Sequence, residues 1–314
     1  MIRSPIETVS FSLRSASNPS PVTSMLPDWQ THQVFLSDQL EPRFPELTGK
    51  LLRILEDRDI PCRLVSGTAD IWIRDYAPVP VSDSSFAQFV YAPDYLRKDH
   101  QHLITPPQVF EGLVRNCASS PLIIDGGNIV TDGQTVLLTE KIFQENSDWK
   151  REEIRAELRT VLNVDRIITI PREPYDVIGH ADGMVRFLEP GRVVMNDSRN
   201  IDPRFHERLR DILARHHLTI ELLPYEPGGR KVNGIDSAVG NYANFLRVGN
   251  LVVLPAYGTA TDDMVRQRLQ KWLPKTDIVF FPCREIAEQG GVLNCVTWTI
   301  SKNDRDRSEI PELL

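Results

Sequence analysis

The sequence has little cysteine, no long apolar run and no surplus of positive charge. Its four cysteines, Cys62, Cys117, Cys283 and Cys295, have no CxxC spacing, so we expect free thiols and no zinc-finger pattern. No segment approaches the roughly 20 apolar residues that cross a bilayer. Residues 1–24 also lack the apolar centre of a secretion signal. These absences predict a soluble, cytoplasmic protein with no membrane partner.

Charge limits the class of partner further. The formal net charge is -7, whereas phosphate binding needs clustered lysine and arginine. We therefore expect no nucleic-acid partner. An acidic surplus mildly favours a cationic ligand.

The domain organisation follows from composition along the chain. Residues 1–24 are rich in serine and proline without a hydrophobic period, which is typical of a flexible tail. We expect one catalytic domain over residues 25–302 and a C-terminal tail over residues 303–314.

A repeated order of elements is the strongest structural signal. Two β-rich runs joined by a turn precede a helical pattern and a further strand, and the unit recurs at about 60 residues. Three copies are clear, and their helices and closing strands are predicted at Trp149–Leu162 with Arg166–Ile170, Pro203–His216 with Thr219–Leu223, and Asp262–Trp272 with Asp277–Phe281.

Two weaker copies complete the set. One pairs Ile71–Val81 with Phe86–Tyr91, followed by a short helix and the strand Pro121–Ile124. The other joins the two ends of the chain and combines Leu293–Ile300, Val34–Leu36, the helix Phe44–Asp57 and the strand Arg63–Val65. Because each unit buries its faces only against its neighbours, the sequence predicts an α/β fold, a five-bladed pseudo-symmetric propeller of strand-strand-helix-strand units.

Ring closure would bring distant polar residues together. Near the first strand of successive units lie Asp75, Asp125, His180 with Asp182, Asn244 and Cys295. We expect these side chains to gather around the axis of the ring.

Cys295 follows the glycine pair Gly290-Gly291, which permits close approach of the backbone to a ligand, and we expect a strand to present its thiol. A nucleophilic cysteine needs an electropositive partner that raises its thiolate fraction. The alternative is a buried core cysteine, because free cysteine packs as a small hydrophobic residue.

His180 and Asp182 are two residues apart, so an extended segment would place both side chains on one face. Histidine exchanges protons near neutral pH, and an ionised aspartate accepts hydrogen bonds from guanidinium. A surface pair is one alternative. Another is a two-histidine, one-carboxylate iron site completed by a distant histidine, for which the candidates are His206, His216 and His217.

Asp75 lies in a strand-like run beside Trp72, and a carboxylate next to an aromatic ring suits a planar cation. Structural ion pairs and a core tryptophan are the alternative. Asp125 precedes Gly126-Gly127, where aspartate is also a common turn residue.

Five motifs in this order resemble the agmatine deiminase and bacterial-type peptidylarginine deiminase family of the guanidino-group-modifying superfamily, over about Met25 to Ser301. The motifs are Trp72–Pro78, Asp125–Asn128, Gly179–Gly183, Asn241–Phe245 and Gly290–Cys295. The resemblance implies a five-bladed α/β propeller, which agrees with the repeat found independently.

The resemblance also implies roles. Cys295 would be the nucleophile, His180 the acid and base, and Asp125 the acid that orients His180. Asp75 and Asp182 would hold the guanidinium, with Trp72 and Asn244 as further substrate-binding residues. No metal or organic cofactor is implied, and the partner would be a small cationic guanidino substrate.

Three departures from typical agmatine deiminases affect these expectations. Those have Glu-Gly-Gly where this chain has Asp125-Gly126-Gly127, a Thr-Gly pair where it has Tyr76-Ala77, and a histidine directly before the cysteine where it has Asn294. We expect the shorter Asp125 to need a displaced His180 or a bridging water. We also expect the changed surroundings of Cys295 to alter which guanidine tail fits.

Several functions stay open at this point. Agmatine, arginine, peptidyl-arginine and methylated guanidines differ beyond the guanidinium, and Arg97, Arg186, Arg199 and Arg230 are the candidates for binding a substrate carboxylate. Amidino transfer and a catalytically silent propeller that binds a cation are alternatives. A cysteine peptidase is disfavoured because the carboxylates would repel a developing oxyanion.

Overall fold

A computed structural model describes residues 25–96, 100–228, 231–232 and 234–301. The tails predicted at residues 1–24 and 303–314 lie outside the described residues. The domain boundaries therefore stay predictions.

Strands and helices alternate along the described chain in the order that the repeat predicts. The strands are β1 (Gln33–Ser37), β2 (Cys62–Val65), β3 (Val79–Pro80), β4 (Phe86–Val90), β5 (Cys117–Ile123), β6 (Val130–Thr131), β7 (Thr135–Thr139), β8 (Arg166–Ile170), β9 (Val185–Glu189), β10 (Arg192–Asp197), β11 (Thr219–Pro224), β12 (Leu246–Val248), β13 (Leu251–Ala256), β14 (Asp277–Pro282) and β15 (Trp298–Ile300). The α-helices are α1 (Leu40–Arg43), α2 (Pro45–Glu56), α3 (Ile73–Tyr76), α4 (Lys141–Glu145), α5 (Arg151–Leu162), α6 (Pro203–Arg215), α7 (Ala260–Trp272) and α8 (Arg284–Ala287).

The strands form five sheets of three strands each, with the orders β3-β4-β5, β6-β7-β8, β9-β10-β11, β12-β13-β14 and β15-β1-β2. In every sheet the first pair is antiparallel and the second pair is parallel. A parallel pair needs a crossover connection, and the helical segment of each unit lies within that connection. The predicted five-unit α/β repeat is confirmed.

The last sheet joins the two ends of the described chain. Strand β15 pairs antiparallel with β1 in the register Gln33↔Ile300, and β1 pairs in parallel with β2. This composite unit was predicted from the sequence. The segment just before its first strand, β15, contains Cys295.

The long helices pack through one apolar face. On α5, for example, Ile154, Leu158 and Leu162 are buried at the predicted helical spacing. The helix begins at Arg151 rather than at the predicted Trp149. Burial of these stripes against the sheets forms four apolar clusters.

The unit around residues 71–123 departs most from its prediction. The predicted strand Ile71–Val81 is replaced by helix α3 and the two-residue strand β3. Where one short helix was predicted, the connection to β5 contains three short 3-10 helices within its described residues. The side chain of Tyr76 explains part of this, because it is buried and its hydroxyl donates to the carbonyl oxygen of Asp70 at 2.6 Å. Tertiary burial here overrides the β propensity of the run.

Within the described part of the chain, no helix combines the length and the apolar character that a membrane span requires.

Candidate active site

A cavity of about 1150 Å³ contains the predicted site. Six of the seven predicted residues line it, and Asp125 lies behind one of them, His180. The six are Trp72, Asp75, His180, Asp182, Asn244 and Cys295. The predicted convergence of residues from five units is confirmed.

Turns position these residues, and each turn ends shortly before the first strand of a sheet. Asp75 lies in α3, and Asp125 precedes a 3-10 turn before β6. The Asp182 segment and the Cys295 segment are also turns, and His180 lies in an irregular stretch just before the first of these turns. The expected extended segment at His180 and the expected strand at Cys295 were therefore wrong.

Asp125 holds His180 directly. The Nε2 atom of His180 lies 2.7 Å from Oδ2 of Asp125, and both side chains are buried. This direct contact leaves no place for the expected bridging water, and the expected displacement of His180 stays a prediction. Burial alone would raise the pKa of Asp125, but Lys141 and His180 lower it overall.

The other nitrogen of His180 faces Asp75. Its Nδ1 lies 3.4 Å from Oδ1 of Asp75, which also accepts a hydrogen bond from the backbone N–H of Gly127 at 3.1 Å. Burial would lower the pKa of His180, but Asp75 and Asp125 outweigh burial and raise it. Burial together with Asp125 and Asp182 raises the pKa of Asp75, although His180 opposes this. The imidazole is therefore held between two carboxyl groups.

Because Gly127 has no side chain, the side chains of Asp75, His180 and Asp182 can lie close together beside its backbone. A Cβ atom at this position would lie 2.6 Å from Asp75 Oδ1, 2.9 Å from His180 Nδ1 and 3.3 Å from Asp182 Oδ1. Any other residue would press against all three side chains. Glycine is required at position 127 because these side chains approach its backbone closely, and not because the turn needs a backbone conformation that favours glycine.

Asn294 orients Asp182, and the sequence did not reveal this contact. Its Nδ2 donates to Oδ2 of Asp182 at 2.6 Å, and both residues are buried. Its place directly before the cysteine in the Gly290–Cys295 motif was a usable signal, because typical family members have another hydrogen-bonding residue there.

The thiol of Cys295 faces the cavity, which excludes the core-cysteine alternative. Its Sγ lies 3.4 Å from Oδ1 of Asn244 and 3.9 Å from Oδ2 of Asp182, and it makes no hydrogen bond with His180. Burial, Asp182 and Asp75 raise the pKa of this thiol well above its ordinary value. These surroundings favour the thiol over the thiolate.

Asn244 is engaged with the cysteine turn. Its Oδ1 accepts from the backbone N–H of Asn294 at 3.2 Å and from that of Cys295 at 3.3 Å. Its Nδ2 donates to the carbonyl oxygen of Asp182 at 3.4 Å. These contacts fix the position of Cys295 relative to Asp182.

Trp72 forms a wall of the cavity beside the cysteine segment. A Cβ atom at Gly291 would lie 2.5 Å from Cζ3 of Trp72, so the backbone passes directly over the ring. This close packing explains one glycine of the pair before Cys295.

The metal-site alternative receives no support. In the parts of the chain that the structure describes, no group of three histidine, cysteine or acidic side chains could hold a metal ion. His206 is buried 3.4 Å from Ser198 Oγ, and neither it nor His216 or His217 lines the cavity. All four cysteines are free, as predicted.

The candidate arginines do not reach the cavity where they are described. Arg186 donates to Asp28 and to the carbonyl oxygen of Phe245, and Arg199 is paired with Asp197. Arg97 and Arg230 lie outside the described residues. The lining does contain Arg43 and Lys231, but these form ion pairs with acidic residues at 2.9 Å each.

Lys141 is the most prominent site residue that sequence reasoning missed. Its Nζ lies 2.6 Å from Oδ2 of Asp125, and the residue is completely buried. A lysine beside a glutamate at the start of a short helix is usually solvent-exposed. No pattern in the sequence indicates this contact.

Comparisons with known proteins agree with this architecture. The family model for Porphyromonas-type peptidyl-arginine deiminase matches residues 32–300. A Shewanella frigidimarina (strain NCIMB 400) protein named "Putative agmatine deiminase" is 33% identical over 213 residues, which cover 58% of this chain and 57% of the relative. The chain thus matches a little over half the length of such curated relatives.

Solved structures share the fold at lower identity. The agmatine deiminase of C. jejuni superimposes with a TM-score of 0.73 at 19% identity, covering 89% of this chain and 96% of the other. The agmatine deiminase of Enterococcus faecalis gives 0.71 at 19% identity, covering 91% and 98%. DDAH from Pseudomonas aeruginosa gives 0.59 at 13% identity, covering 86% and 100%. Because the family model spans almost all of the described residues, the chain belongs to the Porphyromonas-type peptidyl-arginine deiminase family.

Proposed function

We propose that this chain is a cysteine-dependent hydrolase that removes ammonia from the guanidinium group of agmatine or a related arginine derivative and leaves a ureido product. One observation carries the proposal. A cavity-facing thiol lies beside two buried aspartates and a histidine that is held between carboxyl groups.

Binding follows from the charges. Asp75 and Asp182 are buried and face the same cavity, and a guanidinium stays protonated in water and donates in a planar fork that suits carboxylates. The ring of Trp72 offers a flat surface to the same cation. A cationic ligand would also relieve the repulsion between the two aspartates.

The same cation activates the nucleophile. Carboxylates and burial keep Cys295 protonated in the free protein, and a bound guanidinium supplies the positive charge that stabilises a thiolate. The thiol would release its proton to solvent only when substrate is in place. The thiolate is then positioned to attack the central guanidinium carbon.

Proton transfer is assigned to His180. Attack forms the carbon–sulfur bond, and His180 gives its proton to the departing nitrogen, which leaves as ammonia. His180 then takes a proton from water, whose oxygen attacks the same carbon. Cleavage of the carbon–sulfur bond releases the ureido product, and the proton of the added hydroxyl passes to the sulfur of Cys295, which restores the thiol.

Substrate choice depends on the rest of the cavity. Among its described lining residues, Arg43 and Lys231 are already neutralised by acidic partners, whereas Glu173 and Asp176 add further acidic groups. This favours a guanidine with a cationic tail, such as agmatine, over one that ends in a carboxylate. Peptidyl-arginine is the second candidate, because the cavity exceeds the size of free agmatine.

The test is a panel of agmatine, arginine, methylated arginines, guanidinoacetate and an arginine-ended peptide, with ammonia and ureido product measured together. Cys295→Ala should abolish turnover, whereas Cys117→Ala, at an exposed cysteine, is the matched control. Turnover that survives Cys295→Ala would contradict the proposal. Transfer of the amidino group to an added amine, with no ammonia released, would establish an amidinotransferase instead.

A further inference from the structure

Lys141 and His180 share one oxygen of a buried aspartate. Oδ2 of Asp125 lies 2.6 Å from Lys141 Nζ and 2.7 Å from His180 Nε2. Lys141 is 0% exposed and Asp125 is 1% exposed. A buried ammonium is costly unless it is paired, so its closest partner indicates what it does.

Lys141 also has weaker partners. Glu145 lies one helical turn away at 3.4 Å, and Asp94 lies at 3.9 Å. The ring of Tyr95 is 4.8 Å from Nζ and 6.5 Å from the ring of His180. A lysine needed only for packing would be satisfied by Glu145, but the shortest contact is to Asp125.

These contacts enclose one edge of the imidazole. Nε2 faces Asp125 and the charge of Lys141, whereas Nδ1 faces Asp75 in the cavity. The charged or titratable groups around His180 are thus Asp75 and Asp125, the ammonium of Lys141, and Tyr95. The Nδ1 edge is the one that a substrate can approach.

We propose that Lys141 is a positioning residue, whose ammonium holds Asp125 ionised and fixed against Nε2 of His180, so that the imidazole exchanges its catalytic proton at Nδ1. The catalytic part of this role rests on the proposed hydrolase function. The contact itself and its effect on His180 do not.

The electrostatic consequence has a definite sign. Burial would raise the pKa of Asp125, and Lys141 is the largest influence that lowers it. Burial also lowers the pKa of His180, Asp75 and Asp125 raise it, and Lys141 acts against that rise. Without the lysine charge, His180 and Asp125 would together hold their proton more tightly.

The direct test is a side-chain NMR titration of histidine in the substrate-free protein, with His180 assigned through His180→Gln. In Lys141→Met, which keeps much of the length but removes the charge, the pKa of His180 should rise by about 1 unit. Glu145→Gln is the matched control, because it removes the other close partner of Lys141 and leaves the contact with Asp125. It should shift the His180 titration much less.

A second variant tests the same effect if Lys141→Met alone does not fold. Lys141→Met/Glu145→Gln removes one cationic and one acidic group together, and the upward shift of His180 is expected again. With a substrate that the wild type turns over, the alkaline limb of the kcat profile, which reports loss of the proton that His180 donates, should move to higher pH by a similar amount in Lys141→Met.

The outcomes separate this inference from the proposed function. An unchanged His180 titration in both Lys141 variants would overturn the inference, even if stability and kcat fell, because that pattern indicates packing alone. A shifted titration in a protein whose wild type turns over no guanidine would support the role of Lys141 and refute the hydrolase.

Discussion

Two cavities are lined by neighbouring residues of the same turns, and they differ in the charged groups that line them. The large one receives Asp75 and Cys295. A small one of about 40 Å³ receives the residue before each of these, Arg74 and Asn294, together with Arg186. The backbone N–H of Arg74 donates to the carbonyl oxygen of Cys295 at 3.1 Å, which ties the two turns together. One pair of turns therefore serves both cavities.

The two regions differ in how their charges are balanced. In the small cavity, Arg186 donates to Asp28 and to a backbone carbonyl, and Arg186, Arg74 and Arg247 lower the pKa of Asp28 although burial would raise it. In the large cavity, burial and neighbouring carboxylates raise the pKa values of Asp75 and Cys295. The first region is neutralised by the protein itself. We expect the second to be completed by a cationic ligand.

The largest effect is expected from removing one carboxylate of the large cavity. Asp182→Asn should lower kcat/KM for the guanidino substrate by about 10³-fold or more, because the cation loses a charged partner that is buried. Substrate binding and turnover should fall together, while the melting temperature stays the same or rises. Steady-state kinetics and a binding titration would test this. Unchanged affinity would remove Asp182 from the proposed substrate contacts.

The Cys295 thiol should react faster with a cationic reagent than with a neutral one. We expect chloroacetamidine, a cation, to alkylate Cys295 about 10²-fold faster than neutral chloroacetamide, because only the amidine stabilises the thiolate. Peptide mass spectrometry would follow both reagents, with the exposed Cys117 as the internal reference. If the ratio of the two alkylation rates were the same at Cys295 and Cys117, the carboxylates of the large cavity would not control the reactivity of Cys295.

The arginine-lined cavity should respond in stability rather than in activity. Arg186→Met removes the hydrogen bonds to Asp28 and Phe245 and should lower the free energy of unfolding by about 2 kcal/mol. The kcat should change little, since Arg186 does not line the large cavity. Denaturant unfolding measured beside the kinetics would check both parts. A large loss of kcat with full stability would show that the two regions are not separate in function.

The smallest effect concerns pH. The pKa of His180 is raised to about 9, so its stabilising contribution is complete below the ordinary histidine value and is lost as pH rises through about 9. The pKa of Asp75 is raised to about 7, and its ionisation in the folded protein costs stability in the same direction. The melting temperature should therefore fall by about 2–4 °C between pH 7 and pH 9.

A variant can isolate the histidine contribution to this pH effect. The slope of melting temperature against pH should flatten in His180→Gln and persist in His32→Gln, at an exposed histidine. A wild-type melting temperature that rises with pH would contradict the assigned charge states.

Much of this architecture could be predicted from the sequence because it rests on local patterns. β-Branched runs bounded by turns, and apolar spacing such as Ile154, Leu158 and Leu162, fixed the five units and their order. The order of units then placed Asp75, His180 and Cys295 around one cavity.

The conformations at the site were harder to predict, since they depend on tertiary contacts. The run around Asp75 has strand-like composition, but Tyr76 is buried and bonds back to Asp70, which favours a helical turn. Lys141 has the local surroundings of an exposed residue, and only the packed fold brings it to Asp125. Contacts of this kind have no periodic signal.

The most direct test of the central claim is the intact mass of the protein after acid quenching during turnover of agmatine. We expect a species heavier by agmatine less ammonia, attached to Cys295 and absent from Cys295→Ala. Its population should increase in His180→Gln if that variant still forms the adduct, because water activation is slowed. Turnover by the wild type with no covalent species under any quench, together with full activity of Cys295→Ala, would contradict the account.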